Sequence, residues 1–317
     1  MAKKMATRDA YGNALVKLGE TNRNVVVLDA DLSKSTRTSK FAEKFPERFF
    51  QMGVAEQDMM GTAAGLAVSG KIPFASSFAI FATGRAFEQI RNSIGYPELN
   101  VKIAATHGGI SVGEDGASHQ AIEDIGLMRM IPGMTVIVPA DAVEAEKAVF
   151  AAVEHQGPVY MRFGRSAVPV IFDDSYDFKI GKAVVLKDGS DVTIVANGLM
   201  VEPALTAYEL LKDKGISARL INVHTIKPLD VETIVSAAKE TGAIVTAEEH
   251  TVVGGLGSAV CEALSENYPV PVRMIGIRDR FGQSGSPEEL FREYEMTPEH
   301  IAEAALDIVK KKSKLRG

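Results

Sequence analysis

Gly53-Val54-Ala55-Glu56-Gln57, Ser76-Ser77-Phe78-Ala79-Ile80-Phe81 and His107-Gly108-Gly109, followed by Gly113-Glu114-Asp115-Gly116-Ala117-Ser118-His119-Gln120, are the segments that decide the reading of this chain. The first opens a helix of small residues, Glu56 to Val68. The second ends a strand beginning at Ile72. The third follows the strand Val101–Thr106. Alternation of this kind implies an α/β fold in which ligands collect beyond the carboxyl ends of parallel strands.

Working outward, residues 7–18 have Ala10, Ala14, Leu15 and Leu18 at helical spacing. Asn24 to Leu28 is a short apolar run typical of a strand buried on both faces. Asp29-Ala30-Asp31 and a polar loop over Ser33–Arg37 follow it. Further strands are expected at 48–51, 135–139 and 159–162, with helices at 82–93 and from Asp141 to about Glu154. Val168-Pro169-Val170 and the polar run Asp173–Asp177 read as a linker. Alternation then resumes, with strands at 192–196, 218–223, 243–247 and 272–277. Helices are expected at 201–214, 230–240, 257–266, 287–293 and 298–311. The expected fold is two doubly wound parallel-sheet domains, the second possessing a mixed sheet in one variant of the scheme. The expected division is 1–166, a linker over 167–190, and 191–317.

The bulk composition narrows the function. With 317 residues, either half is long enough to build a core. A net charge of −6 gives no electrostatic basis for binding nucleic acid or an anionic membrane. Cys261 is the only cysteine, which excludes an internal disulfide and suits a reducing compartment. No apolar run reaches the roughly 18 residues that span a bilayer, and no leader core follows Met1-Ala2-Lys3-Lys4, so a cytoplasmic protein is expected. The basic stretch Lys310–Lys314 reads as a solvated end.

Each special residue has a plain and a functional reading. Glu56 favours the dipole of the helix it heads, or it is a carboxyl buried against a ligand ring, where burial favours its protonated form. Phe78 and Phe81 are core aromatics, or a stacking platform for a flat heterocycle. His107 and His119 are ordinary polar residues, or they act with a glycine-rich acidic loop whose backbone can approach a ligand. Asp115 and His119 are four apart, but the surrounding glycines favour a loop and no third ligand is suitably spaced, so no protein metal site is expected. Gly254-Gly255-Leu256-Gly257-Ser258 lacks dinucleotide-binding spacing and reads as a tight turn into a helix.

Taken together, these motifs resemble the pyrimidine-binding half of a transketolase from about Thr7 to Arg165, and the remainder resembles the C-terminal domain of the same enzymes. The thiamine-diphosphate signature Gly-Asp-Gly with a downstream Asn does not occur in this chain. The resemblance is therefore to the C-terminal subunit of a split transketolase. It implies an N-terminal partner subunit that ligates Mg²⁺ and the cofactor diphosphate, and self-association into a two-plus-two assembly. It also implies transfer of a two-carbon ketol unit between sugar phosphates. Glu56 matches the acid on N1′ of the aminopyrimidine, where proton sharing favours the imino tautomer that removes the thiazolium C2 proton. Phe81 matches the stacked ring, with Phe78 beside it, and Asp31 an acid near the cofactor. Asp115 and His119 match groups on the sugar hydroxyls. Arg8, Ser35, His107 and Arg165 match the set that holds the substrate phosphate. Gln57 departs from the aromatic or His of many full-length relatives. Two rivals remain: the β subunit of a 2-oxo acid dehydrogenase E1, and a non-catalytic paralogue, against which intact Glu56, Phe81, His107, Asp115 and His119 argue.

Overall fold

A computed structural model describes residues 3–316, with side-chain surroundings to Lys312. In chain order the elements are β1 (Lys4–Ala6), α1 (Thr7–Thr21), β2 (Val25–Asp29), α2 (Ser33–Thr36), α3 (Ser39–Lys44), β3 (Phe49–Gln51), α4 (Glu56–Val68), β4 (Ile72–Ser76), α5 (Phe87–Gln89), β5 (Lys102–Ala105), α6 (Asp124–Arg129), β6 (Thr135–Ile137), α7 (Ala142–Glu154) and β7 (Val159–Arg162). They continue with β8 (Ala167–Pro169), β9 (Val184–Lys187), β10 (Val192–Ala196), α8 (Val201–Asp213), β11 (Ala218–Asn222), β12 (Thr225–Lys227), α9 (Val231–Thr241), β13 (Ile244–Thr251), α10 (Leu256–Asn267), β14 (Val272–Ile277), α11 (Pro287–Glu293) and α12 (Pro298–Arg316).

Every residue of β2 is buried, as a strand covered on both faces requires. It lies between β3 and β4 in a sheet of order β12-β6-β7-β5-β4-β2-β3, parallel except where β12 meets β6. The second sheet runs β14-β13-β10-β11-β9, and β9 is its antiparallel edge. Both are the expected doubly wound α/β sheets, each with one antiparallel edge. The helix from Ala142 begins as its cap dictates: Asp141 Oδ1 accepts from Glu144 N at 2.8 Å.

Several expectations are corrected. The polar loop at 33–37 contains α2, because buried Asp29 organises it. Its carboxylate accepts from Leu32 N at 2.7 Å and from the hydroxyls of Thr36 and Thr38 at 2.6 and 2.8 Å. The expected helix over 82–93 is present, but it winds as wide π-helical segments at Phe81–Arg85 and Ile90–Gly95 on either side of α5. The polar linker carries β8, which pairs with β1, and β9. The Lys310–Lys314 stretch is helical within α12, and Lys312 Nζ donates to Asp191 O and Thr241 O at 2.6 and 2.8 Å. The side chains of Ser313 and Lys314 lie outside the described residues.

One continuous core joins the sheets. Leu28, Met59, Ile103 and Val136 belong to the same buried cluster as Val195, Ile221, Ile234 and Leu256. Strand β12, from the second half, completes the edge of the first sheet, and Val138 N donates to His224 O at 2.7 Å. The halves are therefore packed as one body. The loops beyond β2, β4, β5 and β7 open at one end of the first sheet, where the parallel register sets Asp29 beside Ser76.

Candidate active site

Glu56 is the first residue of α4 and is 4% exposed. A buried carboxylate is costly without a partner, and Arg85 Nη1 donates to its two oxygens at 3.1 and 3.4 Å. The Arg85 guanidinium also stands 4.2 Å from the centroid of the Phe81 ring. Phe81 and Phe78 lie nearly parallel, with centroids 5.8 Å apart. His107 stacks on Phe78 at 3.7 Å, and His119 meets Phe81 edge-on at 5.2 Å. The acid, both aromatics and both histidines thus form one contiguous cluster, joined through Arg85.

At its other end, Arg8 Nη1 donates to His107 Nε2 at 3.0 Å and to Ser35 O at 3.1 Å. A guanidinium only donates, so Nε2 is the acceptor and the ring proton is assigned to Nδ1, 2.8 Å from Thr106 Oγ1. Burial first, and then the charges of Arg8 and Arg165, push His107 down to about 3. Burial and the nearby Arg37 charge likewise lower Arg8 from its ordinary value. Positive charge therefore converges on this end. Thr7 ties the start of α1 to the loop after β7 by accepting from Gly164 N at 2.8 Å. Arg165 donates to Val112 O and lies 4.0 Å from Asp115.

Asp31 is exposed, with a left-handed backbone (φ 64°), and its amide donates to Gln51 Oε1 at 2.7 Å. Its carboxylate has no hydrogen-bond or ion-pair partner among the described residues. The same residues contain no cluster of His, Cys, Asp and Glu able to hold a metal ion.

No local pattern marks the buried network beneath the loop. Arg162 Nε donates to Asp124 Oδ2 at 2.8 Å, as Tyr160 OH does at 2.5 Å. Arg162 Nη2 also donates to Ala121 O and Glu249 O at 3.0 and 2.9 Å. From β13, Glu249 Oε1 accepts from Ser111 N at 2.5 Å, and Gln120 Nε2 donates to Gln283 O at 2.9 Å. The second half thus shapes the 107–120 loop. Glu248 accepts from Leu256 N and Gly257 N at 2.7 and 2.8 Å, so this chain's own acid caps the N-terminus of α10. An added Cβ at Gly255 would strike the Glu248 carboxylate and His250, which explains the glycine. The partners of Arg162 and Glu249 lie far apart in sequence, so spacing could not reveal them.

The neutral His107 has a measurable consequence. Its folded pKa lies below the unfolded 6.5, so its stabilisation is intact above pH 6.5 and is lost as the pH falls towards 3. The expected loss is up to about 1.4 kcal/mol per pH unit below 6.5. Glu144, which burial pushes up to about 8, acts with the opposite sign. The check is therefore a comparison of denaturant unfolding at pH 7.5 and 5.5 for wild type and His107→Gln. The wild type is expected to lose more stability than the variant. Equal losses would contradict the assignment.

An acid, an aromatic pair and a basic clamp gathered beyond the strand ends of the first of two mainly parallel sheets define an α/β protein with one candidate ligand site. The "Transketolase, pyrimidine binding domain" family matches residues 3–170, and the "Transketolase, C-terminal domain" family matches residues 181–301. The chain belongs to the transketolase family. It is 50% identical over 307 residues to a transketolase C-terminal section of Methanocaldococcus jannaschii, covering 96% of each chain. It is 43% identical to a 6-deoxy-6-sulfo-D-fructose transketolase subunit of Clostridium sp., covering 96% of this chain and 95% of that one. A solved structure described as a split gene transketolase, inactive β4 tetramer, superposes with a TM-score of 0.90 at 55% identity, covering 98% of this chain and all of that one. No described helix is long and apolar enough to cross a membrane.

Proposed function

We propose that this chain is the C-terminal subunit of a split transketolase, active with an N-terminal subunit that holds Mg²⁺ and the diphosphate of thiamine diphosphate. The observation that supports this reading is the continuous line of contacts Glu56–Arg85–Phe81–Phe78–His107–Arg8, with an acid and two rings towards one end and a guanidinium at the other. The first end suits an aminopyrimidine. When bound, the cofactor supplies a nucleophilic carbon and an electron sink. Glu56 holds a proton at the pyrimidine N1′. Phe81, with Phe78 behind it, presents the stacking face, and Asp31 stands at the mouth. His119 and Asp115 take the sugar hydroxyls.

Arg8, Arg165, His107 and Ser35 form the anion end. A guanidinium donates in pairs to tetrahedral oxyanions. Arg8 uses one nitrogen on His107 and Ser35, leaving other donors for substrate. A phosphate or a sulfonate meets the same chemistry, and the sulfofructose relative makes both reasonable.

In this scheme residues 1–166 are the pyrimidine domain, 167–190 the connection and 191–317 the C-terminal domain. The outer face of α4 suits association with another subunit. Gly61 and Gly65 have nothing within 4 Å of an added Cβ, Val68 at its end is 73% exposed, and Val54, just ahead of the helix, is 72% exposed. A two-plus-two assembly in the cytoplasm is the arrangement proposed.

The test uses the complex of this chain with its partner. Xylulose 5-phosphate with an aldose phosphate acceptor is expected to turn over, and pyruvate and branched 2-oxo acids are not. Oxo acid decarboxylation without ketol transfer would support the E1 β-subunit alternative instead.

A further inference from the structure

The guanidinium of Arg85 touches the two groups assigned to the aminopyrimidine. Its Nη1 faces both Glu56 oxygens, at 3.1 and 3.4 Å, while its carbon stands 4.2 Å from the Phe81 centroid. Among the described residues Arg85 is the sole hydrogen-bond or ion-pair partner of the Glu56 carboxylate. The wide turn Phe81–Arg85 carries both the ring and the guanidinium, and Gln57 Nε2 anchors it to α4 by donating to Arg85 O at 3.2 Å. Wide turns of this kind are frequent at functional sites.

A guanidinium and an aminopyrimidine share the relevant chemistry. Both are flat, both stack on an aromatic face, and both set a nitrogen against a carboxyl group, which Arg85 does through Nη1 alone. One carboxylate edge and one ring face cannot serve both at once. We infer that Arg85 is a stand-in for the aminopyrimidine: it holds Glu56 and Phe81 in place in the unloaded chain and is displaced by the cofactor. This rests on the functional reading above. The acid needs such a partner, because it is 4% exposed and an unpaired buried charge is costly. The Arg85 side chain is 52% exposed, so it can swing into solvent without passing through the core. While both Glu56 oxygens face a guanidinium, the acid is not free for a ring nitrogen. The exchange therefore couples cofactor loading to release of the catalytic group.

Calorimetric titration of thiamine diphosphate with Mg²⁺ into the complex tests the exchange. Arg85→Met removes the competitor and is expected to tighten binding about tenfold. Arg85→Lys keeps the charge without the flat fork and is expected to fall between wild type and Arg85→Met. Unchanged or weaker binding by Arg85→Met would overturn the inference while leaving the cofactor site standing. No binding by wild type or either variant would remove the site reading and the inference with it. A second readout needs no variant. Phenylglyoxal modification of Arg85, followed by mass spectrometry on the wild-type complex, is expected to accelerate several-fold when the cofactor is added. An unchanged or slower rate would overturn the displacement.

Discussion

Replacing Glu56 by Gln is expected to lower the turnover of the assembled protein by about three orders of magnitude while retaining much of its cofactor binding. The amide keeps the shape of the side chain and its hydrogen-bonding edge towards a ring nitrogen, but it cannot exchange a proton there. Placement matters as much as residue type. Glu56 begins α4, is nearly inaccessible, and is linked to Phe81 through Arg85. Steady-state rates with a ketose phosphate donor, taken beside a calorimetric cofactor titration, separate the two effects. Near-normal turnover would remove Glu56 from the mechanism. Equal loss of binding and rate would make it an anchor only.

Arg8→Ala is expected to raise the KM for a sugar phosphate by about 100-fold, with a smaller change in kcat. The truncation removes a charge-assisted donor, and it also leaves His107 Nε2 without its 3.0 Å partner and Ser35 O without its 3.1 Å partner. Arg8→Lys is expected to restore only part of the loss, because an ammonium cannot span a histidine, a carbonyl and an oxyanion as a planar fork does. A donor sugar lacking its terminal anion should discriminate poorly between wild type and Arg8→Ala. If that neutral donor lost as much as the phosphate did, Arg8 would be acting on the loop rather than on the substrate's anion.

The parts of the fold legible in the sequence were those written in local pattern. The buried run of β2, the small-residue helix headed by Glu56 and the Asp141 cap all stand within a residue or so of expectation. The antiparallel edges β9 and β12 were not legible. Each is three or four residues long, and each is defined by the strand it meets rather than by its own periodicity. Helix α6 was hidden in the same way, because Asp124 there is held by Arg162 and Tyr160 from a distant strand.

The site divides along the same line. Glu56, Phe78, Phe81, His107 and His119 announced themselves as motifs, and the fold brings them together. Arg85 did not, because a guanidinium in an Ala/Gly/Thr-rich segment has no mark until its turn widens and aims it at Glu56. Glu249 was equally silent. Its contact with Ser111 crosses from the second sheet to the loop of the first, so it exists only once the common core has formed. The second half is consequently part of how the candidate substrate loop is held.

The claim that the cofactor site is divided between two chains can be measured directly. Thiamine diphosphate and Mg²⁺ should be titrated into the purified chain alone, and into the complex isolated from its own cells with its companion. The divided-site account predicts weak, Mg²⁺-insensitive binding by the chain alone and tight, Mg²⁺-dependent binding by the complex, because hard-cation oxygen ligands and the diphosphate cradle belong to the companion. Tight Mg²⁺-dependent binding by the isolated chain would contradict it.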